Sequence, residues 1–162
     1  MARPKKVCAA SAIQEPVSYH GQHFRGVDHG RIILPPEWRP EGAPRQFTFL
    51  AWPVLAPEYL LVLPPWRWRK MLTNLAEVSL ANEKEAVVER LLGARSFQKS
   101  LDSYGRLVLP DDTLRMVRIE REAVLVGRLD KFEIWAPDNY HASLAKPEIR
   151  KIVLNTLKSK KI

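Results

Sequence analysis

Apolar positions along this chain come in short bursts cut by Gly and Pro, not in long stripes. The triplets Ile32-Ile33-Leu34 and Leu107-Val108-Leu109 are each entered through Gly-Arg and closed by Pro. They predict buried strands, because glycine permits a turn with positive φ and a short aliphatic run suits a sheet. Pro35-Pro36-Glu37 and Pro110-Asp111-Asp112 follow, each marking the start of a short helix with acidic groups at its N-terminus. Residues 46–52 with 59–63, and 123–128 with 131–135, predict two further strand pairs; Leu129-Asp130 is the hairpin of the second. Helices over 66–77 and 137–145 close the two halves. Between them, 82–92 places Val87, Val88, Leu91 and Leu92 on one face, as an amphipathic helix does. Near the C-terminus Ile149, Ile152, Val153 and Leu157 form a stripe, predicting a helix over 146–157 that docks on the body or on a neighbour.

The chain repeats itself. Gly30-Arg31-Ile32-Ile33-Leu34-Pro35 recurs as Gly105-Arg106-Leu107-Val108-Leu109-Pro110, an offset of 75. Arg39 follows the first copy and Arg115 the second. Residues 60–65 then align with 132–137 at an offset of 72, which sets Trp68 opposite Tyr140. A half of about 60 residues is marginal as an independent fold. The two halves are therefore expected to bury both triplets in one core, with the two Gly-Arg turns on the same side of a pseudo-twofold unit.

Composition narrows the class. With 162 residues, 46% hydrophobic and 27% charged, the chain reads as folded and globular. Lys plus Arg outnumber Asp plus Glu by 26 to 18, a net charge of +8 that suits a polyanion, nucleic acid before an anionic membrane. One cysteine, Cys8, excludes an intrachain disulfide and a cysteine zinc cluster. The apolar run at 7–13 is too short and too polar for a typical export signal. Prolines and Glu58 break the apolar stretch 47–66, which reads as two strands and not as a membrane span. The expected location is cytoplasmic.

For Arg31 and Arg106 the residues leave two readings level. A guanidinium on a glycine-opened turn can grip a phosphate or the O6 and N7 of guanine, with Asp102 fixing its rotamer. Alternatively the pair merely closes a turn, worth about 0–1 kcal/mol. Arg67, Arg69 and Lys70 interleave with Trp66 and Trp68, a pattern that serves single-strand stacking but more often anchors a helix to a core with its arginines in water. Basic segments at 3–6 and 158–161 read as flexible tails adding phosphate attraction. His20, His23 and His29 cluster in sequence, but in a strand His20 and His23 point to opposite faces, which argues against a metal. Phosphate-cradling, dinucleotide and nucleophile-elbow motifs are all absent, so no cofactor, small-molecule substrate or catalysis is expected.

With these residues in view, the chain resembles the MraZ family, bacterial DNA-binding regulators built from two SpoVT/AbrB-type swapped-hairpin units. The match spans 17–144 and is most specific at 100–110, where Asp102 and Arg106 supply the family's Asp-x-x-x-Arg element. Residues 122–127 and 131–135 look like its closing strands. The first half departs from the pattern: Asp28 lies three residues before Arg31 instead of four, and Tyr19-His20-Gly21, similar to the family's Phe-Arg-Gly start, is one residue nearer to Gly-Arg. A one-residue deletion in the first strand or turn accounts for both. Where the family commonly has Lys before Gly-Arg, this chain has His29 and Tyr104.

The resemblance implies a β-rich α+β fold of two tandem swapped-hairpin units sharing a pseudo-twofold β core with flanking helices. It divides the chain into a basic tail at 1–16, a first unit at 17–79, a connecting helix and second unit at 80–145, and a C-terminal helix and basic tail at 146–162. It implies double-stranded DNA and a ring-like homo-oligomer as partners, reading promoter direct repeats in the nucleoid through Gly30, Arg31, His29, Asp102, Tyr104, Gly105 and Arg106. Two alternatives stand beside it. One is an oligomeric structural or interaction module with degenerate, sequence-blind DNA binding, motivated by the altered first turn. The other is an antitoxin-like subunit, which requires a small co-purifying partner and does not explain the duplication.

Overall fold

The computed structural model describes residues 17–41, 46–76 and 81–162. The chain runs through β1 (Gln22–Gly26), β2 (Arg31–Ile33), a 3-10 turn (Pro36–Trp38), β3 (Gln46–Trp52), β4 (Tyr59–Leu63) and α1 (Pro65–Ala76). It continues through α2 (Glu83–Arg95), β5 (Ser96–Ser100), β6 (Arg106–Val108), α3 (Asp111–Met116), β7 (Glu122–Gly127), β8 (Phe132–Trp135), α4 (Pro137–Leu144) and α5 (Glu148–Ser159). The result is an α+β fold on a largely antiparallel framework. The expected basic tail at 1–16 lies outside the described residues.

Six strands form one antiparallel sheet in the order β1-β7-β8-β4-β3-β5, and β2 pairs with β6 in a separate two-stranded ribbon. The halves interlock through these pairings. β1 of the first half lies on β7 of the second, β5 of the second lies on β3 of the first, and β4 meets β8 at the centre. Each half thus supplies the neighbours that the other's strands need, which answers the exposed edges of a lone small sheet.

The main core lies between sheet and ribbon, and both triplets feed it. Ile32, Leu34 and Leu107 are fully buried and Leu109 nearly so, against Trp38 and Phe132. At about 1.5–3 kcal/mol for each large aliphatic side chain fully buried, neither half alone could match this shared interior. A smaller cluster of Leu50, Leu61 and Leu63 lies on the other face, covered by Trp68 and Met71 of α1 and Leu92 of α2.

Several expectations change. The triplets alternate instead of being wholly buried: Ile33 is 49% and Val108 44% exposed, because each ribbon strand shows only one face to the core. β1 and β5, QHFRG and SFQKS, are additional strands whose polar make-up hides them from an apolar pattern. They are the sheet's two edges, ordered by main-chain pairing with buried neighbours. α2 starts on schedule, with the Asn82 carboxamide oxygen accepting from the amides of Lys84 and Glu85 at 3.1 and 3.4 Å. Yet Val87 and Val88 remain half exposed. α5 runs on to Ser159, taking in Lys158 that reads from sequence as flexible tail, and its Ile152, Val153, Leu154 and Leu157 remain about half exposed.

Candidate nucleic-acid interface

The two Gly-Arg turns have different architectures. In the first, the Arg31 amide donates to the Asp28 carbonyl at 2.9 Å and the Asp28 amide donates back at 3.2 Å. This leaves a two-residue loop with His29 at φ 49° and Gly30 at φ 74°, the tight form in which both central residues are left-handed. In the second, the Asp102 amide donates to the Arg106 carbonyl at 2.9 Å and the Gly105 amide donates to the Asp102 carbonyl at 3.1 Å. The loop has three residues, with Gly105 alone left-handed at φ 77°. The missing residue of the first half is therefore missing from the turn.

That single residue decides what the acid can do. Asp102 Oδ1 accepts from the amides of Tyr104 and Arg106, both at 2.9 Å, while Oδ2 accepts from Arg106 Nε at 2.7 Å. The Arg106 amide above all, then the Arg106 guanidinium and the Tyr104 amide, hold the Asp102 carboxyl below the ordinary carboxylate range against partial loss of solvent. The Tyr104 ring lies beneath the same guanidinium, 4.9 Å from Cζ to the ring centre. Arg106 is thus braced by a carboxylate on one side and an aromatic face on another, and its side chain is only partly exposed. In the first turn Asp28 is taken by His29, whose Nδ1 lies 2.6 Å from Oδ1. Among the described residues Arg31 makes no side-chain hydrogen bond or ion pair and is exposed.

Both turns converge on one ribbon. Arg31 pairs with Val108, Ile32 with Leu107 and Ile33 with Arg106. Because β2 and β6 are antiparallel, the turns sit at opposite ends of the ribbon. Their glycines extend the ladder: Gly30 and Gly105 accept from the amides of Leu109 and Leu34 at 2.8 and 3.0 Å. Ile32 and Leu107 point to the core, so Arg31, Ile33, Arg106 and Val108 share the outward face. Arg31 and Arg106 are diagonal neighbours there, about 7–8 Å apart along the backbone by strand geometry. A two-stranded ribbon of this kind has the width that the major groove of DNA admits.

Two arginines that sequence spacing alone does not single out for these contacts shape the same surface. Arg25 of β1 donates through Nε to the Ile33 carbonyl at 3.2 Å, adding a third cation beside the ribbon. Arg39 donates twice to the Leu34 carbonyl, at 3.0 and 2.7 Å, and lies where a Cβ on Gly105 would fall. Its counterpart Arg115 instead pairs with Asp112 on the exposed flank of α3, so the repeat does not extend to these two side chains.

On α1 the tryptophan and its neighbouring arginine serve packing, while Arg69 and Lys70 stay exposed. Trp68 anchors α1 to the smaller core, and Arg67 donates to Asp130 at 2.7 Å in a partly buried ion pair. His20 and His23 contact Ser18 and Trp38 respectively. Among the described residues no group of three or more His, Cys, Asp or Glu is placed to hold a metal.

Comparison with known proteins adds a separate line. The family model of the MraZ protein, described as antitoxin-like, matches residues 92–152. The transcriptional regulator MraZ of Shewanella violacea is 32% identical over 122 residues, 69% of this chain and 78% of the relative. The chain belongs to the MraZ family. MraZ of Shewanella halifaxensis is 31% identical over 107 residues, covering 65% and 70% of the two chains. MraZ of Histophilus somni is 29% identical over 130 residues, covering 76% and 86%. The MraZ family model takes in the intact Asp102–Arg106 turn, whereas the shortened Asp28–Arg31 turn lies outside the matched residues.

Proposed function

We propose that this MraZ-family chain is a sequence-specific DNA-binding transcriptional regulator, and not an enzyme, with the outward face of the β2–β6 ribbon as its reading head. The observation that carries this reading is Arg106, held by the Asp102 carboxylate and the Tyr104 ring at an exposed turn on the outward face of the ribbon. A side chain held this way loses little further freedom on gripping guanine or a phosphate. Gly30 and Gly105 make the turns possible, Arg31 is the second contact, and His29 and Tyr104 flank the two arginines. The transcriptional-regulator names of the relatives and the net charge of +8 support the same assignment.

The same proposal reads the fold as two tandem swapped-hairpin units, 17–79 and 80–145, related by a pseudo-twofold axis. The basic segment 1–16 and the helix-and-tail segment 146–162 flank them. The strand order supports this: exchanging the halves turns β1-β7-β8-β4-β3-β5 into its own reverse, and the ribbon is centred on Ile32 opposite Leu107. We further propose a ring-like homo-oligomer that reads direct repeats in promoter DNA in the nucleoid. Half-exposed apolar residues on α2 and α5 support association between copies. Repeated heads on one assembly would gain avidity from repeated sites at matching spacing. No helix among the described residues is long and apolar enough to cross a membrane.

The test is fluorescence anisotropy against the duplex upstream of the chain's own coding sequence and a scrambled duplex, at near-physiological salt. A preference of about 10³ or more is expected of a specific binder. Equal, salt-labile binding to both would favour the second reading, an oligomeric interaction module with degenerate DNA binding. The specific observation behind that alternative is the first turn, where Asp28 pairs with His29 and leaves Arg31 unbraced.

A further inference from the structure

We infer that Ile33 and Val108 are specificity-determining residues that seat thymine 5-methyl groups in the major groove, between the arginines of the ribbon. The inference rests on the DNA-binding reading above and deepens it. Of the six aliphatic positions in the two repeated triplets, four are buried to within 3% and serve the core. The other two, Ile33 and Val108, are 49% and 44% exposed and stand side by side with cations, Ile33 opposite Arg106 and Val108 opposite Arg31. The outward face is therefore a quartet, with arginines on one diagonal and β-branched aliphatics on the other.

Core packing does not require the outer pair, since the ribbon is already anchored by Ile32, Leu34, Leu107 and Leu109. What the quartet fits is the mixed chemistry of a base-pair edge. Guanine offers two acceptors to a guanidinium, and thymine offers in the major groove its one apolar group. Residues two apart along a strand are about 6.8 Å apart, close to two base-pair steps. One strand can therefore address a guanine through its arginine and a thymine through its aliphatic. A second copy of the same face is a poor occupant. Arg25, Arg31 and Arg106 would meet like charges, while the adjoining carboxylates, Asp28 and Asp102, are already engaged by His29 and Arg106.

The experiment uses the full chain and the duplex upstream of its own coding sequence, with every thymine replaced by deoxyuridine in a second probe. Both probes and a scrambled duplex are titrated by anisotropy against the wild-type chain and the Ile33→Ser/Val108→Ser variant. Melting and light scattering check that the variant keeps its fold and assembly. Each methyl contact is worth about fourfold in affinity. Loss of the methyls should weaken the wild-type chain about sixteenfold for the two contacts together, and the double variant less than twofold. An equal effect on both proteins, or no effect on either while promoter preference persists, overturns the inference and leaves the regulator reading intact. Wild-type binding that does not distinguish promoter from scrambled duplex overturns both. A variant that falls apart into smaller species overturns the inference in favour of a protein–protein role for these side chains.

Discussion

Arg31 and Arg106 stand at matching places in the two copies of a repeat, yet one residue in the preceding turn gives them different degrees of freedom. The three-residue loop before Arg106 lets Asp102 cap its own turn and hold the guanidinium; the two-residue loop before Arg31 spends Asp28 on His29. Asp102→Asn should therefore lower promoter affinity about tenfold through loss of a charge-assisted bond, and Asp28→Asn far less, when both are titrated by anisotropy. Because the folded-state pKa of Asp102 is lowered, its contribution to the turn is complete above the ordinary carboxylate value, about 3.9, and is lost as pH falls through the lowered one. An NMR titration of its carboxyl carbon should place the midpoint below that value. The glycines respond separately. Gly30→Ala would drive a Cβ to 2.6 Å from the Leu109 carbonyl oxygen, backbone that cannot swing aside. Gly105→Ala meets instead the Arg39 guanidinium, the end of a side chain. Both lie at positive φ, so urea unfolding should show losses of about 1–2 kcal/mol for Gly105→Ala and more for Gly30→Ala.

Among the elements, α1 shows how a basic, tryptophan-rich helix can serve packing instead of nucleic acid. Trp68 covers the smaller core, and Arg67 reaches Asp130 in the β7–β8 hairpin, where Lys131 also donates at 2.6 Å. Partial burial pushes the Asp130 carboxyl up, but Lys131 and Arg67 together outweigh it and hold the group below its usual range. Asp130→Asn should thus destabilise the protein at neutral pH by about 0.5–1 kcal/mol, the modest size reflecting a side chain 37% exposed and screened by water. The deficit should vanish as pH falls through the lowered pKa of the wild-type aspartate, since protonation then removes the same charge from both proteins. Paired urea titrations at neutral and acidic pH check this. A consequence for mutagenesis is that Arg67 is no neutral control for DNA contact, whereas the exposed Arg69 on the same helix is.

For the whole molecule, the interlocked halves place both arginines on one face while leaving apolar side chains of α2 and α5 in solvent. If about six phosphates are engaged, log affinity plotted against log salt should fall with a slope near −5. Arg106→Ala should weaken promoter binding more than Arg69→Ala; equal losses would remove the ribbon from the reading head. Light scattering should find masses well above 18.6 kDa if the helix faces associate, and charge substitutions at Val87 and Ile152 should reduce them.

The six apolar strands and the helices in their order, the repeat and the second turn's Asp102–Arg106 pair were legible in the sequence because each is a local signal. Glycine, proline and aliphatic runs act on their immediate neighbours, and an acid four residues before an arginine can meet it across one short loop. Only the tertiary structure decided the rest. The polar edges β1 and β5 became strands because buried neighbours offered them main-chain partners. The triplets divided into core-facing and outward-facing residues because β2 and β6 crossed from different halves to pair. Arg31 and Arg106, 75 positions apart in the chain, came onto one surface through that pairing, a long-range contact that no local pattern encodes.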